Sequence, residues 1–368
     1  MKIVITIGKI ILEIIYFFMK LRPIQNRILF MSRQENDPSM DIKLLSHELK
    51  RRGYETEILC KTLNKDMSSA ISYAFHMLKQ MSLMSTSKVV VLDSYCIVAC
   101  LLSKRRKSSI VQMWHALGSM KKFGYSIIDK PEGRSSEMAQ LMKMHKNYDY
   151  IFTSSNQSRP YFAEAFGYDP NHLTVMSLPR VDALRDRKRD ENLRKQIREC
   201  YPQLGDKPTI LYAPTLRRGS DMTPAIEELI DAVDYSKYNL VIKLHPVASK
   251  GIVSDKAIVD KYFKTIDMFA IADYVITDYS ALTYEAAIKG LPMYFYAYDH
   301  DEYMENVDFY LDYDKEMPGI ISKSADKIMK SIEENRYDPE KLKRFADTYI
   351  EKQERCTMDC ADFIQRLM

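Results

Sequence analysis

Ten consecutive residues, Ile276-Thr277-Asp278-Tyr279-Ser280-Ala281-Leu282-Thr283-Tyr284-Glu285, carry an apolar run straight into hydroxyl-bearing side chains and then into a segment of helical composition. Residues 272–276 have the short, partly β-branched character of a strand, and residues 283–289 that of a helix stopped by Gly290-Leu291-Pro292. A strand ending in such a turn aims the first free N–H groups of the helix, its positive end, outward. With the Ser280 and Thr283 hydroxyls beside them, and Asp278, Ala281 and Glu285 in the same turn, the segment is a candidate phosphate or pyrophosphate site. The plainer alternative is that Asp278 or Ser280 simply caps the helix.

Other strand ends carry residues of matching chemistry. Residues 114–124, Trp114-His115-Ala116-Leu117-Gly118-Ser119-Met120-Lys121-Lys122-Phe123-Gly124, follow an apolar run, so His115 has an apolar wall behind it and the cations Lys121 and Lys122 ahead. Neighbouring cations favour the neutral imidazole, which can take a proton from an attacking hydroxyl, whereas the plainer reading is a structural histidine. Tyr212-Ala213-Pro214-Thr215-Leu216-Arg217-Arg218 offers two arginines as a bidentate phosphate clamp beside Thr215. In Lys243-Leu244-His245-Pro246, His245 is either a turn histidine bonded to backbone or a donor to the diphosphate as charge builds on the leaving group.

The elements that would position these groups alternate between strand and helix. Strands are expected at 27–32, 54–60, 88–92, 110–114, 150–154 and 173–177, with a helix over 37–52 ended by Gly53. A charged segment of weak apolar periodicity, 185–198, then separates a fresh series of strands at 209–212, 240–244, 274–277 and 293–296. Closing helices are expected at 325–334 and 339–355, both able to fold back across the first domain. This predicts an α/β chain of two doubly wound, Rossmann-like domains, with parallel sheets covered by helices and ligands held beyond the carboxyl ends of the strands, around a shared cleft. The expected divisions are 1–22, an N-terminal membrane-associating (interfacial) helix; 23–188, an acceptor-side domain; and 189–368, a donor-binding domain with closing helices.

Composition narrows the class. At 368 residues, 46% of them hydrophobic and only 11 Gly and 14 Pro, the chain is globular and long enough for two cores. Its 54 basic and 50 acidic residues leave a formal +4, which calls for no nucleic acid. The six cysteines show no zinc spacing and read as reduced thiols. Residues 3–19 are strongly apolar but interrupted by Lys9 and Glu13, which argues against a signal peptide and against a spanning helix. An interfacial helix fits better, with Lys2, Lys9, Lys20 and Arg22 at lipid head groups, and an ordinary buried helix is the alternative. The basic runs 104–107 and 185–189 are either a solvated face or interdomain linker, or a surface toward an anionic membrane.

The ordered set WHALGSMKKFG, LPRVD, ILYAPTLRR, IKLHP and ITDYSALTYEAAIKGLPMYFYAYDHDEY resembles the CDP-glycerol glycerophosphotransferase family of teichoic-acid synthesis, of primase or polymerase type. The resemblance implies a glycosyltransferase-B-like fold whose C-terminal domain holds the nucleotide donor. His115 matches the family's WHG-type histidine, the general base, and His245 its LHP histidine, a donor-phosphate ligand; both are thereby implied as catalytic. Arg217 falls on the arginine of a YAPTWR-type motif, with Thr215 and Arg218 beside it. Asp278, Ser280 and Ala281 fall on a TDYSS-type turn in which Ala281 replaces the second serine. Asp299, Glu302 and Tyr303 match a YDxDEY-like end that would touch ribose or polyol. Trp114, Gly118, Lys121, Lys122 and Arg180 fall on the acceptor side, where Ala116 replaces the family's glycine.

The implied reaction is transfer of glycerol phosphate from CDP-glycerol to a hydroxyl of an undecaprenyl-diphosphate-linked saccharide, releasing CMP. It would take place peripherally at the cytoplasmic face of the cell membrane, on an anionic surface, without cofactor and with no evident metal. The priming type is expected, because the chain lacks the extra domain of a large polymerase. CDP-ribitol as donor, a capsule pathway, and a sugar-nucleotide-binding protein without turnover are the alternatives.

Overall fold

Val89, Val90 and Val91 are all fully buried, the pattern of a strand covered by helices on both faces, and each contributes about 1.5–3 kcal/mol by leaving water. They lie in β3 (Ser87–Leu92) of a first sheet whose other strands are β1 (Gln25–Ser32), β2 (Glu55–Cys60), β4 (Ser109–Gln112), β5 (Tyr150–Thr153) and β6 (Leu173–Val175). The computed structural model describes every residue except Met1, Asn64, Lys65, Arg218 and residues 245–253. Among the described residues this sheet has six strands in the order β2-β1-β3-β4-β5-β6, all pairs parallel.

A second six-stranded parallel sheet, in the order β12-β11-β10-β7-β8-β9, comprises β7 (Thr209–Tyr212), β8 (Asn239–Ile242), β9 (Ile258–Val259), β10 (Tyr274–Thr277), β11 (Met293–Tyr296) and β12 (Ile320–Ser322). The chain therefore forms two α/β units. The first comprises Met1–Leu117, Lys122–Asp182 and Glu351–Met368, and the second Gly118–Lys121 and Ala183–Ile350. In each sheet the connections reverse direction once, between β1 and β3 in the first and between β7 and β10 in the second. Such a switch point opens a crevice at the strand carboxyl ends.

The terminal residues join the first unit, whereas the sequence reading gave everything after 188 to the second. The physical reason is in the helix Cys356–Arg366: Cys360 and Ile364 are fully buried, and Arg52 donates to Asp362 at 2.6 Å from the helix α2 (Met40–Arg51) side. Asp182 adds a cap, accepting from the Cys356 and Thr357 N–H groups at 3.0 and 2.7 Å. The charged segment after 185 is not a linker but a helix, Arg187–Cys200, capped by Asp186 and with only Ile197 buried.

Helix α1 (Lys2–Met19) packs one face on the first unit and leaves the other in the open. Leu12, Ile15, Tyr16 and Met19 pack on the first-unit core, while Ile3, Ile7, Ile10, Ile11, Ile14, Phe17 and Phe18 lie exposed, Ile3 at 74%. Its cations are not left to lipid. Lys9 donates to the Leu141 carbonyl at 2.8 Å, Lys20 to Ser103 Oγ at 2.6 Å and Arg22 to the Ser82 carbonyl at 2.7 Å, and Lys2 pairs with Glu137. No helix among the described residues is long and apolar enough to cross a membrane.

Candidate active site

In the first unit the candidate groups gather at the switch point. β3 delivers Asp93, β1 delivers Arg33 and Gln34, and β4 delivers Trp114 and His115. The Asp93 carbonyl can only accept, so the 2.8 Å contact with His115 Nδ1 places the ring hydrogen on Nδ1 and leaves the lone pair on Nε2. Gln34 Nε2 also lies 3.1 Å from Nδ1, a donor facing a donor, and turning that amide over puts its oxygen there instead. His115 is only half-buried at its surface, yet the surrounding protein desolvates it enough to push its pKa down to about 4. The Asp93 hydrogen bond opposes this, and Arg180 adds to it. The result is a neutral imidazole with a free basic nitrogen.

Trp114 sits at φ 62°, a left-handed backbone that is a true outlier for a bulky residue. Two things hold it there. Its N–H donates to Gln112 Oε1 at 3.0 Å, while Gln112 Nε2, on a fully buried side chain, donates to the Ser94 carbonyl at 3.1 Å. Its ring stacks on Phe123 at 5.2 Å and meets Phe166 edge-on at 5.1 Å. The strained turn thus re-aims the chain after β4 so that His115 faces Asp93. Gln34, Asp93 and Gln112 were not singled out from sequence. The strand-end register of Asp93 and Gln112 was the available signal, but nothing in a lone acidic or amide residue marks it as a partner for histidine.

Arg180, expected on the acceptor side, is committed within the first unit. It donates to the buried Asp41 through its N–H at 2.7 Å and through Nε at 2.8 Å. Lys122 also belongs to this unit, whereas Gly118 and Lys121 group with the second. A Cβ on Gly118 would lie 2.6 Å from the Tyr284 ring, which packs in turn on Phe345, so the glycine is there for close approach. Lys121 donates to the Tyr303 hydroxyl at 3.1 Å, and Tyr310 N–H to the Met120 carbonyl at 2.8 Å.

The second unit's switch point is built around Arg217, after β7. Its Nε and Nη2 donate to the two Asp299 oxygens at 2.6 and 3.0 Å, and Nη2 lies 2.9 Å from Asp278 Oδ2. Its Nη1 donates to the Thr215 carbonyl at 2.8 Å, and Asp278 Oδ1 accepts the Thr215 N–H at 2.8 Å. Burial works against the guanidinium charge, but the Asp299 hydrogen bonds and the Asp278 carboxylate outweigh it, so the pKa rises further. The rings of Tyr279 and Tyr303 stack at 3.8 Å with Arg217 over both.

Arg217 is therefore a tie between the loops after β7, β10 and β11, not a free clamp. Asp278 does not cap the helix Leu282–Lys289, whose first turn is served by Ser280 Oγ accepting from Leu282 N–H at 3.3 Å. Ala281 is the N-cap residue without a side-chain bond, Glu285 is buried in the first turn, and Gly290 ends the helix at φ 69°. Glu302 is exposed. His245 and Arg218 lie outside the described residues. Among the described residues no three His, Cys, Asp or Glu side chains come together in a way that could hold a metal ion.

Two parallel α/β units with polar strand-end sites define the class, and comparison with known proteins gives the family. The model of the family described as CDP-Glycerol:Poly(glycerophosphate) glycerophosphotransferase matches residues 14–356. The chain belongs to that family, a group of teichoic acid primases and polymerases, and it is a transferase. It is 30% identical over 363 residues to the teichoic acid ribitol-phosphate primase of Bacillus spizizenii, covering 95% of this chain and 93% of that protein. It is 29% identical over 304 residues to the teichoic acid glycerol-phosphate primase of Bacillus subtilis, covering 80% and 77%. A poly(ribitol-phosphate) polymerase matches 91% of this chain but only 55% of its own length. A solved structure of a variant of the wall teichoic acid polymerase TagF, soaked with CDPG, aligns at TM-score 0.78 and 19% identity over 99% of this chain and 96% of that one, a likeness of fold.

Proposed function

We propose that the chain transfers one polyol phosphate from a CDP-activated polyol to a hydroxyl of a lipid-linked saccharide, releasing CMP. The observation that carries this reading is His115, a neutral imidazole whose Nδ1 is held by a carbonyl and whose Nε2 bears the lone pair. Nε2 takes the proton from the acceptor hydroxyl. The oxygen forms its bond to the β-phosphorus that carries the polyol, and the bond from that phosphorus to the CMP oxygen breaks, the electron pair leaving with CMP. Positioning and charge stabilisation do most of the work in such a transfer. On the donor side, the N–H groups of the Ser280 turn, set by the Asp278 and Arg217 ties, face the phosphates, with His245 as a further donor.

Glycerol phosphate is the group the family description names, and it is the first reading. Ribitol phosphate is the second, favoured by the ribitol-phosphate primase that matches along nearly the whole chain. Release of CMP measured with CDP-glycerol and CDP-ribitol side by side separates them, and turnover of neither, over a range of saccharide acceptors, would end the transferase assignment for this chain.

The exposed face of α1 supports work at the cytoplasmic side of a membrane, where nucleotide donors are available. Replacing Ile10, Ile14 and Phe17 by serine is expected to release the protein from anionic vesicles in cosedimentation; unchanged binding would remove α1 from that role.

A further inference from the structure

Trp114 shares its left-handed backbone with a second segment of the first unit. Lys143, His145 and Asn147, at φ 46°, 55° and 72°, put every second residue of 143–147 in that region. The segment lies between the helix Ser136–Leu141 and β5, and side chains fasten it throughout. The Tyr95 and Tyr125 hydroxyls donate to the Met142 and Met144 carbonyls at 3.0 and 2.6 Å, and Asn147 Nδ2 donates to the Ala99 and Leu102 carbonyls at 2.9 Å each. Backbone strain persists only where the surroundings over-determine it, and such places cluster at functional sites.

Inside this segment His145 and Tyr148 are both 3% exposed and face each other, with His145 Nδ1 3.1 Å from Tyr148 Oη. Burial pushes the His145 pKa down to about 3, and Arg134 adds to it, so the ring is neutral. The fully buried Cys100 closes a ring of three groups: its sulfur accepts the His145 N–H and lies 3.5 Å from Tyr148 Oη. An imidazole nitrogen is a better acceptor than a thiol, so the phenol hydrogen goes to Nδ1 and the thiol hydrogen to the phenol oxygen. The second lone pair of that oxygen takes an N–H from Gln112.

The Gln112 amide nitrogen is thereby held at two acceptors, the Tyr148 oxygen and the Ser94 carbonyl at 3.1 Å, which leaves the amide oxygen for the Trp114 N–H at 3.0 Å. The path from His145 ends one residue before the proposed base. An apolar cluster of the same volume would pack at least as well, but it could not tell the two ends of an amide apart.

We infer that Tyr148 and His145 are positioning residues for His115: they hold the Gln112 amide in the orientation that fixes Trp114 in its left-handed turn and sets His115 against the Asp93 carbonyl. This rests on the transferase reading above, in which His115 takes the acceptor's proton. Neither residue touches a reacting atom. A misplaced base loses rate without losing ligand, since a displacement of about 1 Å can cost about 100-fold.

Trp114 is the single tryptophan of the chain, so fluorescence and near-ultraviolet circular dichroism report its turn directly. The test uses the full-length chain with Tyr148→Phe, Gln112→Leu, the two combined, and His145→Asn. Tyr148→Phe keeps the ring and removes the hydroxyl. Its kcat should fall about tenfold, with KM for the CDP-polyol and for the saccharide acceptor each within about twofold of the parent's. The Trp114 spectra should change with it. Gln112→Leu should do the same, and the combined variant should be no worse than Gln112→Leu alone, because both act along one path. His145→Asn returns an acceptor near the place of Nδ1, and asparagine accepts a left-handed backbone. It should keep kcat and the Trp114 spectra near those of the parent while its thermal midpoint falls for want of the ring.

A parent-like kcat and Trp114 spectrum in folded Tyr148→Phe would overturn the inference. So would additive losses in the combined variant, and so would a kcat that follows the thermal midpoint, lowest in His145→Asn, which would make the cluster structural. Should Tyr148→Phe not fold, Gln112→Leu against His145→Asn decides the same question, the first losing kcat and the second keeping it. A parent that turns over neither donor defeats the transferase reading alone, because the Trp114 spectra report the turn without catalysis.

Discussion

At the first sheet's switch point the central group is an imidazole kept neutral, with one nitrogen occupied and the other left with its lone pair. At the second sheet's switch point the central group is a guanidinium kept charged, with two carboxylates and a carbonyl taking its hydrogens. One arrangement leaves chemical capacity unspent, as a group that must exchange a proton requires. The other spends four of its five N–H donors on joining three loops, as a scaffold for a phosphate-binding turn requires. Removing the central residue should therefore have opposite consequences, lost chemistry in one unit and lost structure in the other.

The largest effect is expected from Arg217→Met. It strands Asp278, which is fully buried, and Asp299 without their cation, and breaking a buried pair in this way costs about 3–5 kcal/mol. Chemical denaturation should show the second unit's transition displaced to lower denaturant, with CDP-polyol binding weakened alongside. Arg217→Lys should recover little of it, because one ammonium cannot reproduce the paired bonds to Asp299. Full stability in Arg217→Met would mean that the carboxylates do not need the arginine and that the comparison drawn above is false.

His115→Ala should do the reverse. Its turnover number should fall on the order of 100-fold or more, about 2.7 kcal/mol of barrier, with the unfolding transition of the first unit close to that of the parent. Donor affinity should persist. The acid limb of kcat/KM in the parent enzyme sharpens the point. Burial holds His115 near 4, so activity should survive from pH 7 to about pH 5 and fall only as pH approaches 4. A limb at the ordinary histidine value of 6.5 would show that the ring is not desolvated as described.

These contrasts were only partly visible in the sequence. The strand series was legible because doubly covered parallel strands are short apolar runs, and eleven glycines sufficed to mark stops such as Gly53 and Gly290. The two-residue strand β9 and the three-residue β12 were too short to give a pattern. The helix Arg187–Cys200 was hidden because it buries only Ile197. The helix Met67–Met84 was hidden because Ile71, Phe75 and Leu78 stand exposed while Tyr73 and Gln80 are buried beside Met81 and Met84, which blurs the usual apolar stripe. At the site, His115, Arg217 and Asp278 stood out by residue type and strand-end position. That Arg217 is consumed by Asp299 and Asp278 was not legible, since partners 82 and about 60 residues away meet only through the sheet order. The support of His115 comes from a main-chain carbonyl, which no residue type announces.

A smaller effect is expected at Gly118, within the second unit. The added methyl of Gly118→Ala would press on the Tyr284 ring from 2.6 Å, and Phe345 and Tyr349 back that ring, so overpacking should cost about 1–3 kcal/mol. Differential scanning calorimetry should record a lower midpoint. Adding Tyr284→Leu to make room should return part of it, whereas an additive double variant would mean the contact is not the cause.

An effect of comparable size, and the most discriminating, concerns Asp93, whose side chain is buried beside the carbonyl that holds His115. Burial pushes its pKa up to about 6, against the Ser32, Ser94 and Ser39 hydroxyls that pull it down. In the unfolded chain it returns to the ordinary value near 3.8, so the native state binds the proton more tightly. Its contribution is then fully favourable only below the unfolded value and is lost as pH rises through about 6. At pH 7.5 the ionised carboxylate is a burden of about 1–3 kcal/mol, from some two pKa units at 1.36 kcal/mol each, reduced by relaxation. Asp93→Asn keeps the shape and the main-chain carbonyl, so it should raise the unfolding free energy by that amount at pH 7.5 and by roughly half as much at pH 5. Asp278→Asn in the second unit should lower stability at pH 7.5, because there the carboxylate answers a buried cation. Equal gains for Asp93→Asn at both pH values would point to packing in place of charge, and a gain from Asp278→Asn would erase the contrast between a site that tolerates unspent polarity and one that does not.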